Sequence, residues 1–120
     1  MSKPDRSRVL HFAEALAQIP GPEGERAITC LRRGSLDVKL SARPLSPNRQ
    51  TTHAQDEVYV VVRGRGVLFH DGLREPFEAG DCLFVAAGIE HRFEDFDEEL
   101  AVWVIFFGPA GGELPNEGAE

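Results

Sequence analysis

Three side chains stand out for the chemistry they could do together: His53, Glu57 and His91. A neutral imidazole offers one good lone pair and a carboxylate a hard anionic oxygen. That donor set suits a divalent Fe, Mn, Zn, Ni or Co ion. Two histidines and one carboxylate leave about three positions open on an octahedral ion, which is what activation of a substrate or of O2 requires. Spacing is what lifts the trio. In an extended chain residues i, i+2 and i+4 share a face, so a strand through this segment aligns Thr51, His53, Gln55, Glu57 and Tyr59. In a later strand the same rule puts His91 and Phe93 on one face. We expect the trio to point into one barrel and hold a metal ion, with Gln55 as a candidate further donor through its carbonyl oxygen. Taken singly, each residue has a plainer explanation. A histidine near a strand end or a turn usually makes only structural hydrogen bonds, and that is the expectation for His11 and His70. Glu57, ahead of a valine run, could be a solvated strand end, and Tyr59 and Phe93 are more often core than ligand clamp.

The elements that must position these residues are mostly strands. Ser7 can cap a short helix reaching about Gln18, with Val9, Phe12, Ala13, Leu16 and Ala17 on one side. It stops at Ile19-Pro20-Gly21-Pro22, because a residue before proline is pushed out of the helical region. So short a helix is marginal alone, so it should pack across the outside of a sheet. From Glu25 the chain reads as strands over 27–32, 36–42, 57–63, 67–70, 73–78, 82–85, 89–94 and 100–107. Pro44 and Pro47 exclude a central strand between the second and third, and Asp71-Gly72 is the strongest hairpin signal. Many short strands with frequent turn signals indicate an antiparallel sandwich or barrel. Residues 58–62 and 100–107 do not alternate with polar residues and must be covered on both faces. The helix can cover part of that surface, and a second subunit the rest, so a homodimer is expected.

The paired segments bring a family into view. His53-x3-Glu57-x6-Gly64, followed by Gly80-x5-Ala86-x-Gly88-x2-His91, resembles the two motifs of the cupin superfamily. The resemblance implies an all-β fold, a double-stranded β-helix or jelly-roll barrel, here with a short N-terminal helix and with the metal inside the barrel mouth. It also implies His53, Glu57 and His91 as ligands. Two positions depart from the family pattern: Thr51 stands where the first motif has its first histidine, and Ala86 where the second has proline. Alanine there costs only some turn rigidity. Thr51 shrinks a four-ligand site to three. The substrate-facing lining is expected to include Thr51, Tyr59, Phe84, Phe93 and Trp103. The family hosts dioxygenases, isomerases and lyases, and fold does not choose among them.

Bulk composition narrows the partners. The 120 residues suit one domain, divided as a 1–24 arm and helix, a 25–108 barrel and a 109–120 flexible acidic tail. A net charge of −7 argues against nucleic acid or an anionic membrane surface. No apolar run is long enough to span a bilayer, and Cys30 and Cys82 read as buried free thiols of a reducing cytoplasm. Three functions stay open: a small metal-dependent enzyme acting on a small polar metabolite, a non-catalytic binding or sensing module, and a dimeric barrel whose histidines only hydrogen-bond.

Overall fold

Short β-branched and aromatic runs, cut by Gly, Pro and Asp, give eight strands and one helix in the computed structural model, which describes residues 9–42 and 53–116. Ser7 and Thr51 lie outside the described residues. The elements are α1 (Phe12–Leu16), β1 (Ala27–Arg33), β2 (Leu36–Ser41), β3 (Asp56–Arg63), β4 (Arg65–His70), β5 (Leu73–Glu78), β6 (Cys82–Val85), β7 (His91–Glu94) and β8 (Ala101–Phe107). They form a five-stranded sheet, β1-β2-β8-β3-β6, and a three-stranded sheet, β5-β4-β7, all antiparallel. Asp71 and Gly72 both adopt positive φ, 49° and 82°, as the tight β4–β5 hairpin demands. Gly64 has φ of 85°, and a Cβ there would sit 2.6 Å from the Leu100 Cα, so the close approach of the chain at this point also requires glycine.

Register assigns every side chain to a face. Glu57, Tyr59 and Val61 of β3 lie opposite Phe106, Val104 and Val102 of β8, and Glu57 and Tyr59 lie opposite Val85 and Leu83 of β6. Directly opposed residues of an antiparallel pair share a face. This set therefore forms the inner wall, and it packs with Leu68, Phe77 and Phe93 of the small sheet into the main core. The alternate set, Val58, Val60, Ile105 and Trp103, points outward. There α1 lies across the sheet. Ala15, Leu16 and Ile19 bury against Leu40, Ala42 and Ala101, and the Phe12 ring meets Trp103 edge-on at 6.5 Å. Burying Leu16 and Ile19 contributes roughly 1.5–3 kcal/mol each, more than so short a helix could supply by propensity. The helix thus takes its expected place, but over 12–16 only, with no side-chain cap at His11.

Beyond β8 the chain does not leave the barrel at once. The Gly111 amide donates to the Ala54 carbonyl at 2.7 Å, and the Glu113 amide to Asp56 Oδ2 at 2.8 Å. Residues 111 and 113 are thus tied to the segment that leads into β3. Cys82 is exposed, opposite Val60 on the outer face, and Cys30 is half-buried. No helix of the described residues is long and apolar enough to cross a membrane.

Candidate metal centre

The two sheets meet at His53, Glu57 and His91. Glu57 is the second residue of β3 in the large sheet, His91 the first of β7 in the small one, and His53 sits just before β3. His53 Nε2 lies 3.3 Å and His91 Nε2 3.1 Å from the same oxygen, Glu57 Oε1. One ligand atom from each of the three residues lies within 4.8 Å of the others. The imidazoles face each other at 4.9 Å between centroids. The sequence-predicted trio is therefore one cluster.

Hydrogen bonding decides what the cluster can do. His91 Nδ1 is 2.9 Å from the Ile89 carbonyl, which can only accept, so Nδ1 carries the proton and Nε2 turns a lone pair inward. Such a bond from the far nitrogen is what fixes a metal-binding imidazole in register. Glu57 is 2% exposed, and its Oε1 has no correctly aligned donor among the described residues. A buried acceptor left in this state costs about 1–3 kcal/mol. Three electron-rich atoms thus converge in an arrangement that a proton or a metal ion would reconcile. Ionisation follows the same logic. For His91, burial disfavours charge, but Glu57 and the Ile89 carbonyl outweigh it and raise the pKa above the ordinary imidazole value. For His53, burial leads, the Glu57 charge opposes it and the His91 charge reinforces it, so the pKa is lowered.

The surroundings brace this arrangement. Burial, then the charge of Glu57 and a hydrogen bond to it, hold the Tyr59 hydroxyl protonated far above its usual range, so it donates to the Glu57 carboxylate. The Tyr59 ring also packs on Phe93 at 4.8 Å. The Gly88 amide donates to the His53 carbonyl at 2.8 Å, tying the loop before His91 to the segment before Glu57. Asp56, 3% exposed, takes the Ala87 amide on Oδ1 and the Glu113 amide on Oδ2.

Three expectations need correction. Gln55 does not turn toward the cluster: its amide nitrogen donates to the Ser35 carbonyl at 2.8 Å and the Gly108 carbonyl at 2.9 Å. The strand begins only at Asp56, and the bend at residues 54–55 breaks the alternation that would have aimed Gln55 inward. Phe84 does not line the barrel. It lies opposite Val58 on the outer face and is 49% exposed. Trp103, opposite Val60 and Leu40, is also outside, beneath α1. Tyr59 and Phe93 do face inward, and both are nearly fully buried. Two residues the sequence did not single out belong to the site: Phe106, whose ring stands edge-on to His53 at 4.8 Å, and Asp56. The inward period of Val102, Val104 and Phe106 was a usable signal for the first. Nothing local marked the second.

Comparison with known proteins agrees with this fold. A family model described as "Cupin domain" matches residues 39–107. An uncharacterized protein of Streptomyces coelicolor is 35% identical over 94 residues, covering 72% of this chain and 90% of that protein. Among solved structures, a cupin-2 domain containing protein from Shewanella frigidimarina superposes with a TM-score of 0.65 at 19% identity, over 81% of this chain and 92% of the other. A Rhizobium leguminosarum protein of unknown function superposes with a TM-score of 0.70 at 17% identity, over 87% and 99% of the two chains.

Proposed function

Because this chain belongs to the cupin domain family, we propose that it is a metal-dependent enzyme acting on a small polar metabolite, with His53, Glu57 and His91 as the ligands of a divalent Fe, Mn, Zn, Ni or Co ion. The observation that carries this is Glu57 Oε1, buried between two imidazole Nε2 atoms with no aligned donor among the described residues. A bound ion would act there as a Lewis acid toward a carbonyl or enol oxygen, or as a centre for O2. The chain's own contribution is to hold the donors: Ile89 fixes the His91 tautomer, Tyr59 steadies the Glu57 carboxylate, and Phe93, Val85 and Val104 keep the surroundings dry. Dioxygenase, isomerase and lyase chemistry all fit three protein ligands with open positions.

Elemental analysis of protein purified without added ions is the first test, followed by turnover assays on 1,2-diols, catechols and keto acids with iron or manganese restored. Metal at about one ion per chain with conversion supports the proposal. Metal-dependent ligand binding without conversion favours the second reading, a binding or sensing module. We also read the protein as a cytoplasmic homodimer. Leu31 and Phe84 stay exposed on the outer side of the large sheet, which supports a second copy there, and light scattering tests it.

A further inference from the structure

The inner wall of the large sheet carries charge that the metal centre does not use. Asp37 and Lys39 of β2 lie opposite Phe106 and Val104 of β8, the same two residues that oppose Glu57 and Tyr59 on the other side. By register, then, Asp37 and Lys39 share the concave face with the ligands. They stand two strands from β3, roughly 10 Å away at the usual strand spacing. Arg32 of β1 lies opposite Asp37 and meets its Oδ2 at 3.5 Å, while Lys39 Nζ is 4.0 Å from that oxygen. Lys39 is 31% exposed at its side chain, so part of it reaches solvent from the inner wall.

We propose that Lys39 recognises an anionic end of the substrate, so that the metabolite is a short chain with a chelating group at the metal and a carboxylate at Lys39. This rests on the metal-centre reading above. Three observations support it. An ammonium has three donors, and the one loose 4.0 Å contact it makes among the described residues does not consume them. Phe106 lies between the Asp37 and Glu57 positions in one cross-strand row, an apolar bridge suited to methylene carbons. Finally, a chain of net charge −7 repels anions at long range, so an anionic ligand needs local cations inside the mouth.

The test uses the full chain loaded with Mn2+, its occupancy checked by elemental analysis, and calorimetric titration with glutarate and acetate. We expect glutarate to bind at least about 10-fold more tightly than acetate, the usual worth of one charge-assisted hydrogen bond. Lys39→Met should abolish that preference while metal content, melting temperature and acetate affinity stay at wild-type values. Lys39→Arg should restore it. Should Lys39→Met melt early, Lys39→Gln takes its place with the same expectation. A wild type without glutarate preference, or folded Lys39 variants that keep it, overturns the proposal. If wild type takes up no metal, the metal-centre reading fails separately. Glutarate is then titrated into metal-free protein, where binding lost in Lys39→Met sustains the role of Lys39 and binding absent or indifferent to the substitution removes it.

Discussion

Two carboxylates of this barrel each face a pair of nitrogen-bearing side chains, with opposite outcomes. Glu94, on β7, receives Arg74 Nε on Oε1 at 2.8 Å and the Arg92 guanidinium on Oε2 at 2.7 Å, while both guanidinium groups stack over the Phe69 ring. Each oxygen has a donor, and the group forms a closed bracket across the small sheet. Glu57, inside, has two imidazoles converging on one oxygen and, among the described residues, no aligned donor on it. The difference teaches what separates a self-contained ion-pair network from a cluster compatible with a metal ion. The first satisfies itself; the second leaves a buried carboxylate oxygen that a cation would suit.

The sharpest way to break this contrast is Glu57→Gln. Removing the anionic donor should weaken metal binding more than about 100-fold, beyond the usual cost of losing an outer-shell partner, while the metal-free protein melts no lower than wild type because the orphaned acceptor charge is gone. A clear loss of metal-free stability would instead mark Glu57 as a satisfied pair like Glu94. Next, His91→Ala and His53→Ala should each lose most bound metal and stay folded, as read by elemental analysis and circular dichroism. His91 should cost more stability, being 3% exposed at its side chain against 31% for His53. Acidification comes third. Ligand imidazoles must be deprotonated, so bound metal should be released on acidification, measured by dialysis and metal analysis, with His91, whose pKa is raised, taking its proton before His53, whose pKa is lowered. Tyr59→Phe, which removes one hydrogen bond to Glu57 but keeps the ring, should weaken metal by about 10-fold. The smallest effect belongs to Glu94→Gln, with metal content unchanged. Its carboxyl is held low, first by the Arg74 hydrogen bond. A depressed acid stabilises the fold above its unfolded pKa and stops doing so as pH falls through the folded value. The variant should therefore show a shallower fall in melting temperature below pH about 4 than wild type.

Much of this was legible in the chain because the informative patterns are local. Asp71-Gly72 named its hairpin, the β-branched run after Glu57 named β3, and His53, Glu57 and His91 stood at spacings that a strand and a family motif both pick out. What escaped depends on partners far away in sequence. Whether Phe84 or Leu83 faces inward is decided by which of them stands opposite Val58, and Trp103 is outside because Val60 and Leu40 are. Gln55 failed for a different reason: one bend before Asp56 defeats a rule that assumes continuous extension. Asp56 was invisible because its role lies in accepting backbone amides from residues 31 and 57 positions away.

That last pair of contacts has a practical consequence for anyone shortening or fusing this protein. Cutting the chain after Phe107 would strip Asp56 of the Glu113 amide and Ala54 of the Gly111 amide. The damage would surface far upstream, beneath the ligands, and a bulky C-terminal fusion should leave a spacer after Glu113 if the cup is to keep its floor.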